Sequence, residues 1–135
     1  MSYNLFISHS WAYSDTYDNL VKKLEDAPYF SFKNFSVPKD NPVHTRGTDR
    51  ELADAISRKM ALSNVVLILA GVYSSYSKWI NKEIIICNES FSTKKPIIAI
   101  EPWASQRTSK IVKDNATRIV KWNTSSIVDA IREVA

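Results

Sequence analysis

The stretch SKWINKEI, residues 77–84, sets a tryptophan and a glutamate four apart, Trp79 and Glu83, just after an apolar run, VVLILA at 65–70. On a helical wheel of about 100° per residue, Ile80, Ile84, Cys87 and Phe91 fall together as a core stripe. Asn81, Lys82 and Glu89 fall on the far side, in water. Glu83 lands roughly 70° from the centre of the stripe, beside Tyr76 and Trp79, at the edge of the buried face. A helical glutamate is ordinarily a solvated surface residue. One on the flank of a core stripe, within about two turns of a strand's carboxyl end, is partly desolvated. Such a carboxylate can face a cationic reacting centre in a ligand crevice.

The elements that must hold this carboxylate follow from the hydrophobic pattern. YNLFI at 3–7 is β-prone and stops at Ser8, which predicts a first strand. Ser14 and Asp15 can cap a helix carrying Tyr17, Leu20, Val21 and Leu24 at helical spacing, closed near Pro28. FKNFSV at 32–37 reads as a weaker strand ending at Pro38. After the polar loop at 39–47, Thr48 and Glu51 form a T-x-x-E capping box for a helix burying Leu52, Ala55, Ile56 and Met60, with Asn64 at its end. The 65–70 run is apolar on both faces, as a central parallel strand requires. A helix over about 75–90 and a strand in KKPIIAIE, 94–101, come next, with Pro96 tolerated at the strand's start. Residues 102–117 read as loop, 118–122 as a last short strand and 125–134 as a closing helix.

Strands alternating with helices imply an α/β fold with a parallel sheet and right-handed crossovers. Five strands suit a flavodoxin-like three-layer sandwich of order 2-1-3-4-5. Ligands in such sheets sit outside the carboxyl ends of the strands, at the switch point beside strand one. Ser8 to Trp11, the 38–47 loop and Gly71 to Ser77 would gather there.

At 135 residues the chain is most simply one domain, 1–135, with an ordinary globular balance of 44% hydrophobic and 24% charged residues. A single cysteine, Cys87, closes no disulfide within the chain, and two histidines without a CxxC make a structural zinc site a poor fit. MSYNLFIS does not look like a signal peptide, and the longest apolar stretch, at 65–72, is too short to span a bilayer. The expectation is a cytoplasmic, reducing-compartment protein with no membrane partner. The net charge of +4 is spread among scattered lysines without an Arg-rich stripe, which argues against nucleic acid and suits an anionic small molecule.

The residues FISHS at 6–10 and SSYSKWINKEI at 74–84, together with the element order, resemble a Toll/interleukin-1 receptor (TIR) domain of the bacterial TIR-like kind. The resemblance covers essentially the whole chain and is closest to the small TIR subunit of Thoeris anti-phage systems. It implies cleavage of NAD⁺, by hydrolysis or ADP-ribosyl cyclisation, with NAD⁺ as substrate and no separate cofactor. In enzymatic members the glutamate of the W-x-x-x-E pattern is essential, a role that maps onto Glu83. The resemblance also implies a diffusible product, such as a cyclic ADP-ribose isomer, that activates a separate effector protein. A homo-oligomer completing the site between neighbouring protomers fits the same picture, and apolar Ile85 and Ile86 hint at such a surface.

Against an NAD⁺ ligand the remaining candidates take provisional roles. Trp79 could stack on nicotinamide or simply pack. Ser8 and His9 could hold a phosphate or ribose, or Ser8 could serve a turn. Ser75, with Ser74, could touch ligand or cap the following helix. His44, Arg46 and Lys39 could attract a pyrophosphate, and Trp11 and Tyr13 could stack on adenine. Two other readings compete. One is a non-enzymatic TIR-type interaction module, in which Glu83 is structural. The other is a nucleoside deoxyribosyltransferase-like enzyme, in which a glutamate is the nucleophile. A phosphoacceptor receiver, P-loop chemistry and GxGxxG dinucleotide binding lack their residues here.

Overall fold

β1 (Ser2–Ile7) alternates its side chains between two apolar layers, and the rest of the fold is organised about that alternation. The structure, a computed structural model, describes residues 2–8, 15–35, 49–69, 77–91, 94–101 and 110–135. Among these, the elements in chain order are β1, α1 (Asp15–Asp26), β2 (Ser31–Asn34), α2 (Asp49–Ala61), β3 (Val65–Leu69), α3 (Ser77–Glu89), β4 (Ile97–Glu101), α4 (Lys110–Asn115), β5 (Arg118–Lys121) and α5 (Thr124–Val134). The sheet has five parallel strands in the order β2-β1-β3-β4-β5, as expected.

Leu5 and Ile7 of β1, Val65 and Leu67 of β3, and Ile98 and Ile100 of β4 face one layer. Leu20 and Leu24 of α1 and Ile127, Ala130 and Ile131 of α5 cover that side. Phe6, Val66, Ile68, Ile97 and Ala99 face the other, under Ile56 and Met60 of α2, Ile84 and Cys87 of α3 and Val112 of α4. Right-handed crossovers explain the split. The chain runs one way from β1 to β2 and the opposite way from β2 through β5, so α1 and α2 must lie on opposite faces. β1 and β3 are sandwiched between both layers.

Local terminators agree with the sequence. After α1, Ala27 N–H bonds Leu24 O at 3.3 Å, and Pro28 can carry no helical N–H onward. Tyr29 takes the left-handed region (φ 58°), and the Arg132 guanidinium donates to its carbonyl at 2.8 Å. α2 is closed by Ser63, whose hydroxyl donates to Met60 O at 2.7 Å. Asn64 then stitches β3 to β1: its N–H donates to Asn4 O (2.6 Å), and its Oδ1 accepts from Asn4 N–H (3.0 Å). Pro96 precedes β4, and its carbonyl accepts from Val66 N–H at 3.0 Å.

Element bounds shift by one to three residues in several places, β4 starting at Ile97 rather than at 94, and three differences have a clear local cause. β2 covers four residues, and the remainder of the predicted 32–37 strand is Phe35, past the strand's end, and residues outside the described set. Residues 110–115, expected to be loop, form α4. Its six residues are too few to show a helical period, and among its described side chains Val112 is the buried one that seats it on the sheet. α5 begins at Thr124 rather than 125, because Asn123 caps it by accepting from Ser126 N–H at 3.0 Å. The Thr48–Glu51 capping box lies outside what the structure describes.

Candidate active site

The backbone of β1 stays in the sheet one residue beyond the strand. Ser8 N–H donates to Leu67 O on β3 at 2.8 Å, so Ser8 is fixed at the carboxyl end of β1, beside the switch point between β1 and β3. Its side chain is fully buried (0% exposed). α3 runs back over the α2 side of the sheet, anchored by Ile84 and Cys87, which are buried in the layer beneath. Glu83 precedes Ile84, and the packing that seats Ile84 turns Glu83 towards the end of β1.

There Glu83 is also 0% exposed, and the Ser8 hydroxyl donates a hydrogen bond to its Oε1. This differs from the sequence expectation, which put Glu83 at the edge of the buried face. A helical wheel treats the core as one direction. Here the helix flank meets a second surface, the exit of β1, and the flank position becomes interior. Burial of a carboxylate is costly unless it is hydrogen-bonded, and Ser8 supplies such a bond.

One turn further along α3, Cys87 is buried with its thiol against the Met60 thioether of α2, Sγ to Sδ 3.3 Å. Burial pushes the Cys87 thiol up to about 12; the Glu83 carboxylate acts in the same direction and Lys95 opposes it. This thiol stays protonated and is no nucleophile at neutral pH. Ile85 is 51% exposed, on the outward side of the helix as predicted, whereas Ile86 packs partly against the core.

Of the expected site residues, the structure brings Ser8 and Glu83 together across 75 positions of sequence. Trp79 lies on α3, one turn before Glu83, and its side chain is outside the described set. His9, Trp11, His44, Arg46 and Ser75, with Tyr13, Lys39 and Ser74, lie outside the described residues. The partnership of Ser8 with Glu83 was missed at the level of sequence, where Ser8 stood as a ligand contact or turn residue. The available signal was its place directly after the buried run LFI. A hydroxyl there is interior, and an interior hydroxyl needs a partner.

A separate groove of about 450 Å³, lined among others by Asn88, Lys94, Lys95, Asp114, Asn115 and Thr117, opens at the amino ends of β4 and β5. It lies at the opposite end of the sheet from Ser8 and Glu83. In an open parallel sheet, ligand chemistry belongs to the carboxyl ends.

The chain thus joins a parallel 2-1-3-4-5 sheet to a buried glutamate that accepts a hydrogen bond from the serine of its F-I-S-H-S segment. The family model described as Thoeris protein ThsB, TIR-like domain, matches residues 6–107. The chain belongs to this Thoeris ThsB TIR-like family. No curated protein matches it. The matched span contains both Ser8 and Glu83 and ends before α4, β5 and α5. Membership in the ThsB family carries a TIR-type role in anti-phage defence, a setting in which partner effector proteins take part. Among the described residues, no helix of this ThsB-family chain is long and apolar enough to cross a membrane.

Proposed function

We propose that this ThsB-type domain cleaves the bond between nicotinamide and ribose in NAD⁺. The products are nicotinamide and an ADP-ribose-derived signalling nucleotide that acts on a separate effector protein. The observation that carries the reading is Glu83: a carboxylate withdrawn from water, held by Ser8 at the carboxyl end of β1, in a chain of the ThsB family.

The chemistry suits one fixed anion. The scissile C–N bond breaks with its electron pair leaving on the pyridine nitrogen, so nicotinamide departs neutral and needs no general acid. The ribose is left with oxocarbenium character. Glu83 would accept hydrogen bonds from the sugar hydroxyls and stabilise the positive charge as it develops. In a site with little water this interaction is far stronger than in solution. A water molecule attacking the ribose carbon gives ADP-ribose; a nucleophile within the same ADP-ribose gives a cyclic isomer. His9, Trp11, His44, Arg46, Ser75 and Trp79 are the proposed contacts to the rest of the dinucleotide, and a second copy of the chain would complete the site.

The test is nicotinamide release from NAD⁺ by the purified protein, with and without lysate from phage-infected cells, with products identified by mass. Glu83→Gln is expected to fold and to lose about a thousandfold in rate, equivalent to roughly 4 kcal/mol of transition-state stabilisation. Undiminished release by Glu83→Gln removes Glu83 from the chemistry. If the unaltered protein releases no nicotinamide under either condition, the NAD⁺-cleaving reading fails; activity on nucleoside substrates then separates a deoxyribosyltransferase-like enzyme from a non-enzymatic interaction module.

A further inference from the structure

We infer that Ser8 is a positioning residue for the reaction: its buried hydroxyl, fixed to the sheet, sets the orientation of the Glu83 carboxylate against the sugar ring. The inference rests on the NAD⁺-cleaving reading above and names a role within that site that sequence reasoning did not give. Four observations carry it. The Ser8 hydroxyl donates to Glu83 Oε1. Both side chains are 0% exposed, so the bond is made away from competing bulk water. Ser8 is clamped by its own N–H to Leu67 O at 2.8 Å, which puts the donor on the rigid centre of the sheet rather than on a loop. The acceptor is equally constrained, because Ile84, the next residue, and Cys87, one turn on, are locked in the core.

A glutamate has three side-chain torsions before its carboxylate. Packing at Ile84 and Cys87 fixes the helix but not the last of these torsions, which is broad for an sp³–sp² bond. The hydrogen bond from Ser8 to Oε1 restrains it. A carboxylate accepts several hydrogen bonds, so the bond from Ser8 is compatible with sugar hydroxyls on the same group. Ser8 bonds through its side chain to Glu83, which lets it act on substrate through Glu83. This gives Ser8 a role different from a ribose or phosphate contact, and the two roles differ in kinetics. Loss of a positioning bond lowers kcat and leaves KM nearly unchanged, whereas loss of a ground-state contact raises KM.

The experiment compares unaltered protein, Ser8→Ala, Ser8→Thr and Glu83→Gln by steady-state nicotinamide release across NAD⁺ concentrations, with thermal melting of each. Ser8→Ala is expected to lower kcat by about tenfold to a hundredfold, the range for a reacting group misplaced by a fraction of an ångström to an ångström. KM should stay within about twofold. Ser8→Thr, which keeps a hydroxyl, should recover most of the lost kcat even if it melts at a lower temperature. If Ser8→Ala does not fold, Ser8→Cys, close to serine in shape and a weak donor, is read by the same criteria. A rise in KM at constant kcat makes Ser8 a ligand contact and overturns the inference, as does full activity of Ser8→Ala. A Ser8→Thr no more active than Ser8→Ala does the same. The underlying reading fails separately: it is overturned by an active Glu83→Gln, whatever the serine variants do.

Discussion

Glu83→Gln should abolish activity without harming the fold, and the structure gives the size of the second effect. Glutamine keeps the length of the side chain and an oxygen able to accept from Ser8. The hydrogen bond falls from a charge-assisted one, about 1.5–3 kcal/mol, to a neutral one, about 0.5–1.5 kcal/mol, a loss of roughly 1 kcal/mol. Against this, a fully buried carboxylate carries a desolvation penalty of several kcal/mol that an amide largely escapes. The two N–H groups of the amide, which need acceptors of their own, take back part of that gain. The balance is a stabilisation of about 1–2 kcal/mol. For a chain of 135 residues each kcal/mol moves the melting temperature by roughly 3–5 °C, so Glu83→Gln should melt about 3–10 °C higher. Calorimetry at neutral pH measures this on the same preparation used for nicotinamide release. Glu83→Ala serves as the contrast: it removes the acceptor of the Ser8 hydrogen bond and opens a cavity, and should lose about 2–4 kcal/mol. A melting temperature for Glu83→Gln more than about 3 °C below the unaltered protein refutes the reasoning, because it makes the charge part of what holds the fold together. A functional anion kept at a cost to stability is the opposite case.

Cys87 should resist thiol reagents in the folded protein at pH 8 and react fully in denaturant, since it is buried and its thiol is pushed up to about 12; rapid native labelling would show that the α2–α3 layer opens. The same shift predicts alkaline destabilisation. Between the ordinary thiol value of 9.0 and about 12, the unfolded chain gives up the proton and the folded one keeps it, so stability is intact below pH 9 and falls as pH rises. The slope approaches about 1.4 kcal/mol per pH unit, and in urea unfolding from pH 8 to 10.5 Cys87→Ala should flatten that part of the fall. Asn123→Ala removes the α5 cap and should cost about 1 kcal/mol, read from the urea midpoint, with nicotinamide release unchanged because the cap lies outside the candidate site. Leu67→Ala, in the middle of β3 and fully buried, should cost about 2–5 kcal/mol; a loss below 1 kcal/mol would mean that the layer collapses around it.

The fold was legible in the sequence because its signals are local and periodic. Val65 to Leu69 could hardly be anything but a strand with both faces covered. Alternation of such strands with amphipathic helices leaves few topologies once crossovers must be right-handed. Pro28, Asn64 and Pro96 stand at or beside ends of α1, β3 and β4 because each restricts or terminates the backbone in a way readable from residue type alone. Where the chain departed from expectation, the local signal was weak. α4 holds six residues with a single buried anchor described, Val112, and β2 is an edge strand whose four residues are half-buried or exposed.

For the site, the sequence alone determined which carboxylate to watch, since the Trp79–Glu83 spacing and the apolar stripe at Ile84 and Cys87 are properties of one helix. It also fixed that Ser8 ends the first strand. Only the tertiary structure decided that these two residues meet, that Glu83 is interior rather than at an edge, and that the serine hydroxyl points to the carboxylate. The physical reason is separation along the chain. Periodicity reports a residue's direction relative to its own element, whereas the meeting of β1's exit with the flank of α3 depends on how two elements 75 residues apart are packed on the same sheet.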